Sequence, residues 1–470
     1  MFTFLLPKDK KLFKYIFFLA VPVILSNISR VLMGLADTVM VGHLGSKAIA
    51  GVGMASMVTW TAMAIGIAFR TGTQTVVSRR LGQKIFNECG IALRNMHLFV
   101  FILSIPLTYI CYTYTSFIMS FFLKDSETLF LCIEYSKYIF LSIYFIYSSF
   151  VFQGFYTGIE ETKIHMKVVV VSNLINLYLN VGLIFGSDQI DSFFSNSVFY
   201  LLSYLWQPFN FPEFGVKGAA IGTLIATIWG VFHYTYYLFK KNIKQKYKVF
   251  IKSVDFQMLK KQLIISYPLA IQEFLVMLSL TAFYKIIAII GIIELAATQI
   301  IFKIMHTSFM PAIGIGQACA TLVGKYLGEE NSNKAELSIY ESIRGSLYIM
   351  GVMGLIFIIF SESIVSIFIK DISVIKLAAP GLKFIGFLQF IDAFCFTLWF
   401  ALTGAGDTRI PAIFDILNHW LVFVPLCYFL GIYCGYGYWG AWVSFGIMLL
   451  FIAIFMFWRF KTGKWKSIIV

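Results

Sequence analysis

Charge is scarce in this chain of 470 residues: Asp, Glu, Lys and Arg make up 13% of it, and only 23 residues are acidic. Ordinary soluble domains carry about 25% charged residues, and 59% hydrophobic residues leave too little polar surface to cover one, so a water-soluble domain is excluded. Ten-residue stretches of alternating apolar and polar residues are also missing, which excludes a membrane-spanning barrel and leaves helices as the spanning element. Histidine is sparse, and His43, His97, His165, His233, His306 and His419 are dispersed. Catalysis needs a clustered His, Ser or acid constellation, so a membrane-embedded enzyme is only a remote alternative. Cysteines such as Cys89, Cys319 and Cys395 show no metal-ligand spacing; they read as space-filling side chains, with no metal or cofactor implied.

Long apolar runs are what the chain has in abundance. A membrane crossing takes about 20 apolar residues. The chain divides into about twelve such runs, near 13–41, 48–77, 91–121, 129–157, 165–186, 216–239, 262–291, 295–324, 343–369, 377–403, 411–433 and 438–458. The first run is too long for a cleavable signal peptide. Basic residues collect at alternate connections: Lys8, Lys10, Lys11 and Lys14, then Arg79, Arg80 and Lys84, then the stretch 240–261, and finally Arg459, Lys461, Lys464 and Lys466. The positive-inside rule then places both termini in the cytoplasm and the chain in the cell inner or plasma membrane. The net charge of +14 reflects this bias and an anionic lipid leaflet, not nucleic-acid binding.

The chain also contains itself twice. An offset of 246 residues maps Pro22 onto Pro268, Gly45 onto Gly291, Leu81-Gly82 onto Leu327-Gly328, and Gly158 onto Gly404. Residues 1–239 read as one six-helix lobe, 240–261 as a basic cytoplasmic linker too polar to cross, and 262–470 as a second lobe. An even number of spans per lobe makes the repeats parallel, related by a pseudo-twofold axis along the membrane normal. The expected architecture is an all-α membrane protein of about twelve transmembrane helices, its two lobes facing across a cleft that can open to either side. The offset fails at 188–214, an extra segment on the outer side. It carries Asp188, Asp191, Asn196, Tyr200, Tyr204, Trp206 and Phe209 and reads as an amphipathic interfacial segment or a lid.

Polar residues inside the spans are the candidate site. A charged side chain at mid-membrane costs about 2.5–3.5 kcal/mol on insertion scales, so each needs a partner, a wet cavity or a proton. Asn27, Arg30, Gly34 and Asp37 form one stripe of the first span, which leaves two readings: an ionisable site, or a structural Arg30–Asp37 pair. Asn173, Asn176 and Asn180 form a second stripe in the fifth span, within reach of Asp37 or acting as interhelical glue. In the second lobe Glu273 replaces Asn27, and Asp392 replaces Ile146. Lys285, Lys303 and His306 are basic groups that either neutralise those acids or meet substrate. Asp415 and His419, four residues apart, read as a local pair.

Several of these segments carry a family likeness. The stretch ADTVMVGHLG at 36–45, GIGQA at 314–318 with VGKYLG at 323–328, and GAGDTR at 404–409 with its imperfect twin GIEETK at 158–163 resemble the multidrug and toxic compound extrusion family over nearly the whole chain. The resemblance implies a cation-coupled antiporter that expels organic, often cationic or amphipathic, small molecules by alternating access, with H+ or Na+ as coupling ion. By the same resemblance Asp37 is the first-lobe protonation residue and Asp392 the second-lobe acid of cation binding. The chain departs from the family at two places. Asn180 stands where some members carry an aspartate, and the usual glutamate position, eight residues after the helix proline, is Val276 rather than Glu273. A monomer in the lipid bilayer is expected. The alternative function is a lipid-linked saccharide flippase, which would call for a cavity ringed with arginines.

Overall fold

The apolar runs become helices whose ends are fixed by caps placed 246 residues apart. Asp9 caps the first helix by accepting from the N–H groups of Lys11 and Leu12, and Asp255 caps its repeat mate by accepting from those of Gln257 and Met258. Asp125 and Asp371, one offset apart, cap another pair. Each such cap contributes about 1 kcal/mol. The turns obey the offset too, since Lys84 and Glu330, then Glu160 and Gly406, all have positive φ. The computed structural model describes residues 6–194, 200–206, 208–250 and 254–470. Expectations for 1–5, 195–199, 207 and 251–253, including Asn196, and for the side chains of Asp191 and Tyr200, lie outside the described residues.

The first half comprises α1 (Lys10–Gly42), α2 (Ser46–Gly82), α3 (Phe86–Thr113), α4 (Ser126–Leu141), α5 (Ile143–Gly158), α6 (Thr162–Phe194) and α7 (Gly215–Leu238). The second comprises α8 (Phe256–Ile290), α9 (Ile292–Gly328), α10 (Ser332–Ile359), α11 (Ile372–Ala405), α12 (Arg409–Tyr433) and α13 (Gly437–Lys461). Among the described residues ten helices are long and apolar enough to cross a membrane, and α4 with α5, bent by 49°, makes an eleventh. The remaining expected run is α9, which at 37 residues matches α2 in length and carries Lys303, His306 and Gln317.

The halves exchange helix ends. Leu12, Ile16, Leu19 and Ala20 of α1 pack into a core with Ile315, Leu322 and Trp465 of the second half, while Met258 and Ile265 of α8 join the first half's core. Pro22 and Pro268 lie in the interiors of these two helices, where the missing N–H weakens the hydrogen-bond ladder. At this end the halves are pressed together. A Cβ on Gly82 would lie 2.0 Å from the Lys325 carbonyl oxygen, and one on Gly328 would lie 2.2 Å from that of Arg79. Burial follows the same gradient: α2 is almost wholly buried over 63–82 but only intermittently before that, and α9 repeats the pattern after Met310.

Hydrogen bonds cross the same contact. The Gln74 amide donates to the Gln317 carbonyl at 2.8 Å and to Thr321 Oγ1 at 2.9 Å, and Thr75 donates to the Thr403 carbonyl at 2.9 Å. Arg79 donates to the carbonyls of Ala405 and Ile468, and Lys325 pairs with Glu160 at 2.9 Å. The extra segment departs from a purely interfacial strip. Tyr204 and Phe209 are exposed, but Trp206 is 6% exposed, stacks on Tyr178 and donates Nε1–H to the Tyr178 carbonyl at 2.7 Å. An indole needs a partner for its single N–H when buried, and the α6 carbonyl supplies it.

Candidate functional site

The stripe of α1 faces the stripe of α6. Asn180 Nδ2 donates to Asp37 Oδ1 at 2.7 Å, and Asn176 Nδ2 donates to Asn180 Oδ1 at 3.1 Å and Thr223 Oγ1 at 3.3 Å. Asn173 Nδ2 donates to Ser29 Oγ at 2.8 Å. The chain of amides points one way, each acceptor polarised by the bond behind it, and it ends on the half-buried carboxyl of Asp37. Gly222 makes room for this: a Cβ there would sit 2.0 Å from Asn180 Oδ1. Tyr135 of α4 lies within electrostatic range of Asp37.

Arg30 does not pair with Asp37. Seven helical residues separate them by about 10 Å along α1, and the Arg30 guanidinium instead approaches Gln153 Oε1 at 3.5 Å. Its surroundings come from α2, α5, α6 and α7, namely Arg70, Gln153, His165 and Tyr234, yet it is exposed. That exposure is therefore to a cavity inside the bundle. Asn27, one turn below, is buried with its Nδ2 unpartnered.

The second half holds a different set. Gln272 donates to Asp415 Oδ2 at 2.6 Å, and His419 Nδ1 lies 3.3 Å from Asp415 Oδ1, so the Asp415–His419 pair forms. Glu273 is half-buried, in electrostatic range of Arg70 and Asp415, and forms no ion pair among the described residues. Asp392 is 2% exposed and its Oδ2 lacks a hydrogen-bond partner, while Cys395 sits in range of both Asp392 and Asp415. His419 lies in a π-helical stretch over Asn418–Phe423, a local widening of the helix that recurs at functional sites.

The basic residues of the second half do not neutralise these acids: among the described residues neither Lys285, Lys303 nor His306 forms an ion pair. Lys285 lies twelve residues from Glu273, a third of a turn around α8, and lines a groove of about 430 Å³ with Val424, Pro425 and Tyr428. Lys303 and His306 are exposed on the face of α9 that also carries Gln317, which reaches across to Gln153 of the first half at 3.2 Å. No cluster of three or more metal-ligating side chains occurs among the described residues.

Sequence reasoning passed over Arg70, Gln74 and Gln153, and took Gln317 only as part of the GIGQA segment. Arg70, Thr71, Thr73, Gln74 and Thr75 are all buried, so α2 is polar around its whole circumference where it docks against the other half. A helix turn that is polar on every side yet sits within an apolar span is the signal that would have found them.

A family model described as MatE matches residues 22–181 and 268–429, two matches that begin 246 residues apart. The chain belongs to the MatE family. Its relatives in that family include the probable multidrug resistance protein NorM of Thermotoga maritima, 28% identical over 465 residues, covering 98% of this chain and 95% of that one. The uncharacterised transporter YisQ of Bacillus subtilis is 24% identical, with 98% and 96% covered. Among solved structures, the outward-facing conformation of a multidrug resistance MATE family transporter superposes with a TM-score of 0.83 at 19% identity, covering 97% of each chain. A transporter of the MOP superfamily from Pyrococcus furiosus gives 0.85 at 20% identity, again covering 97% of each. The MatE chain is thus an integral membrane protein built as a duplicated helical bundle, and its relatives are named as transporters.

Proposed function

We propose that this MatE chain is a multidrug efflux antiporter, exporting drug-like organic solutes in exchange for H+ or Na+. The observation that carries this reading is Asp37, a carboxyl group facing the inside of a duplicated bundle and held by one amide of Asn180. Loading its accepting oxygen with a proton removes the acceptor that Asn180 uses, so the ion's arrival alters how α1 sits against α6. Na+ would act on the same contact by recruiting Asn180 Oδ1 away from Asn176. Asp392, buried with an unpartnered oxygen, is the second candidate for the coupling ion, and Glu273, in range of Arg70 and Asp415, is the third.

The two lobes, 1–239 and 262–470, would rock about the 240–261 linker in the inner or plasma membrane, as a monomer with both termini cytoplasmic. In that orientation the tight contact at Gly82 and Gly328 closes the cytoplasmic side. The interlobe hydrogen bonds, at about 0.6 kcal/mol each in a bilayer, sum to a few kcal/mol. That matches the roughly 5.5 kcal/mol needed to turn a 1:99 equilibrium into 99:1, so differential binding of one ion and one solute suffices to drive the switch. The test is efflux of cationic, zwitterionic and anionic dyes from vesicles under separately imposed proton and sodium gradients. Asp37→Asn is expected to abolish gradient-driven efflux while leaving the protein in the membrane; full efflux in that variant would sink the assignment.

A further inference from the structure

Buried hydrogen-bond donors without acceptors gather where the first half meets α9. Arg70 is 7% exposed, its Nε has no partner, and no carboxylate lies within ion-pair distance of it among the described residues. Its backbone is pinned, since a Cβ on Gly154 would stand 2.4 Å from the Arg70 carbonyl oxygen. Gln153, next in sequence, accepts from Arg30 and donates to Gln317 Oε1, which leaves Gln317 Nε2 buried and unpartnered. Asn27 Nδ2, on the stripe one turn from Arg30, is buried and unpartnered as well. Arg30 and Arg70 are close enough to repel, and among the described residues the one carboxylate in range of Arg70 is Glu273. Two guanidiniums against one carboxylate leave a surplus positive charge, and the unsatisfied atoms of Arg70, Gln317 and Asn27 are all donors. An unpaired buried guanidinium costs several kcal/mol, so a site of this kind is completed by an acceptor carrying negative charge.

We propose that Arg70 and Arg30, with Gln317 and Asn27, form an anion-binding subsite on the floor of the internal cavity that takes the carboxylate or another oxyanion of the transported solute. The favoured solutes are then organic anions and zwitterions, the latter placing their ammonium toward Glu273. This rests on the export reading above. A guanidinium holds an oxyanion through two parallel N–H bonds, a geometry that a point charge does not reproduce.

The test measures binding first, independently of transport. The full chain in nanodiscs is titrated with dansylglycine, its methyl ester and dansyl-ethylenediamine, following dansyl fluorescence, in sodium gluconate and again in sodium chloride. The acid is expected to bind at least about 10-fold tighter than the ester. Arg70→Gln should weaken the acid by about 10- to 100-fold, the range for a lost hydrogen bond to a charged group, and leave the amine within about threefold. Arg30→Gln should act in the same direction, and Arg70→Lys should restore only part of the affinity. Equal binding of acid and ester, no binding of the acid, or an equal loss of all three probes in Arg70→Gln overturns the proposal. Chloride binding without any affinity for dansylglycine overturns it in favour of a free inorganic anion. Acid bound through Arg70 but moved by no gradient would fault the export reading and leave the subsite standing. Gradient-driven efflux of the amine, with the acid unbound, would do the reverse.

Discussion

Gly82→Ala isolates the contact that holds the two halves together. The new methyl carbon would lie 2.0 Å from the Lys325 carbonyl oxygen, a backbone atom that no rotamer change can move. Normal contact requires roughly 1 Å more separation between α2 and α9, and forced overpacking of this kind costs about 1–3 kcal/mol. The gain in helix propensity from Gly to Ala, up to about 1 kcal/mol, applies to α2 in either arrangement of the lobes and cancels from their equilibrium. The conformation with these ends in contact should therefore lose population by a factor of roughly 5 to 150, at 1.4 kcal/mol per tenfold. The measurement is electron–electron distance spectroscopy between spin labels at the exposed residues Ile49 and Ile293, near the opposite ends of α2 and α9, with the exposed Cys434 replaced. Wild-type protein should give a long distance, and Gly82→Ala a growing population at shorter distance as the far end closes. Gly328→Ala, whose Cβ meets the Arg79 carbonyl oxygen at 2.2 Å, should do the same. Gly53→Ala on the same α2 has nothing within 4 Å and serves as the control that should change nothing. Identical distance distributions in Gly82→Ala, Gly328→Ala and Gly53→Ala would refute the idea that this close approach sets the conformational balance.

Asp392→Asn keeps the side-chain shape and removes the charge, so efflux in vesicles should lose its dependence on sodium or proton gradients while membrane levels of the protein hold; unchanged ion dependence would count against it. The buried pair of Arg459 and Asp407, joined by bonds of 2.7 and 3.2 Å, predicts that Arg459→Met destabilises the protein by about 3–5 kcal/mol by stranding the carboxylate. Arg459→Met with Asp407→Leu should recover most of that loss, read as the apparent melting temperature in detergent, and a double variant no better than the single one would contradict it. Trp206→Ala should cost up to about 3–5 kcal/mol and free the α6 backbone around Tyr178 to exchange its amide hydrogens faster. Unaltered exchange there would mean that the 188–214 segment rests on α6 without holding it.

Much of the frame was legible because it depends on local rules repeated at one offset. Apolar length sets the spans, and helical spacing puts Asn27, Arg30 and Asp37 on one face and Asn173, Asn176 and Asn180 on another. The direct bond between Asp37 and Asn180 follows once the two stripes face each other. What the chain concealed depends on docking between distant segments. The polar turn over 70–75 has no preferred face, so periodicity is silent about it, and its meaning appears only when α9 and α5 close around it. The same holds for Glu341, which accepts from the backbone N–H groups of Lys8 and Asp9 while paired to Arg344 at 2.6 Å. An acid and an arginine three residues apart look like an ordinary surface pair until the first helix's end is laid over them. Lys285 was marked by its rarity in an apolar run, but only its angular position on α8, a third of a turn from Glu273, shows that the two do not pair.

The repeat is obeyed most closely where the chain turns and least closely where it holds charge. Caps at Asp9 and Asp255, left-handed residues at Lys84 and Glu330, and close helix approaches at Gly82 and Gly328 all keep the offset. Across the same offset Asp37 faces Phe283, Asn180 faces Leu426, and Asp415 faces Val169. A lobe-rocking motion needs the first set to be symmetric, because the two helix pairs must slide past one another as equivalent surfaces. Coupling needs the second set to be asymmetric. If both lobes carried the Asp37–Asn180 arrangement, the ion would be divided between two like sites, whereas an equilibrium shifts only by as much as its affinity differs between the two states. Placing a hydrogen-bonded carboxyl in one lobe and an unpartnered one, Asp392, in the other gives the ion a preferred side of the machine. A chain with Phe283→Asp and Leu426→Asn would make the second lobe resemble the first. Phe283 is fully buried among Phe302, Phe423 and Trp442, so the exchange should cost about 3–5 kcal/mol of stability. The protein that reaches the membrane should move solute with weakened dependence on any ion gradient, and tight coupling in it would show that asymmetry is not what coupling requires.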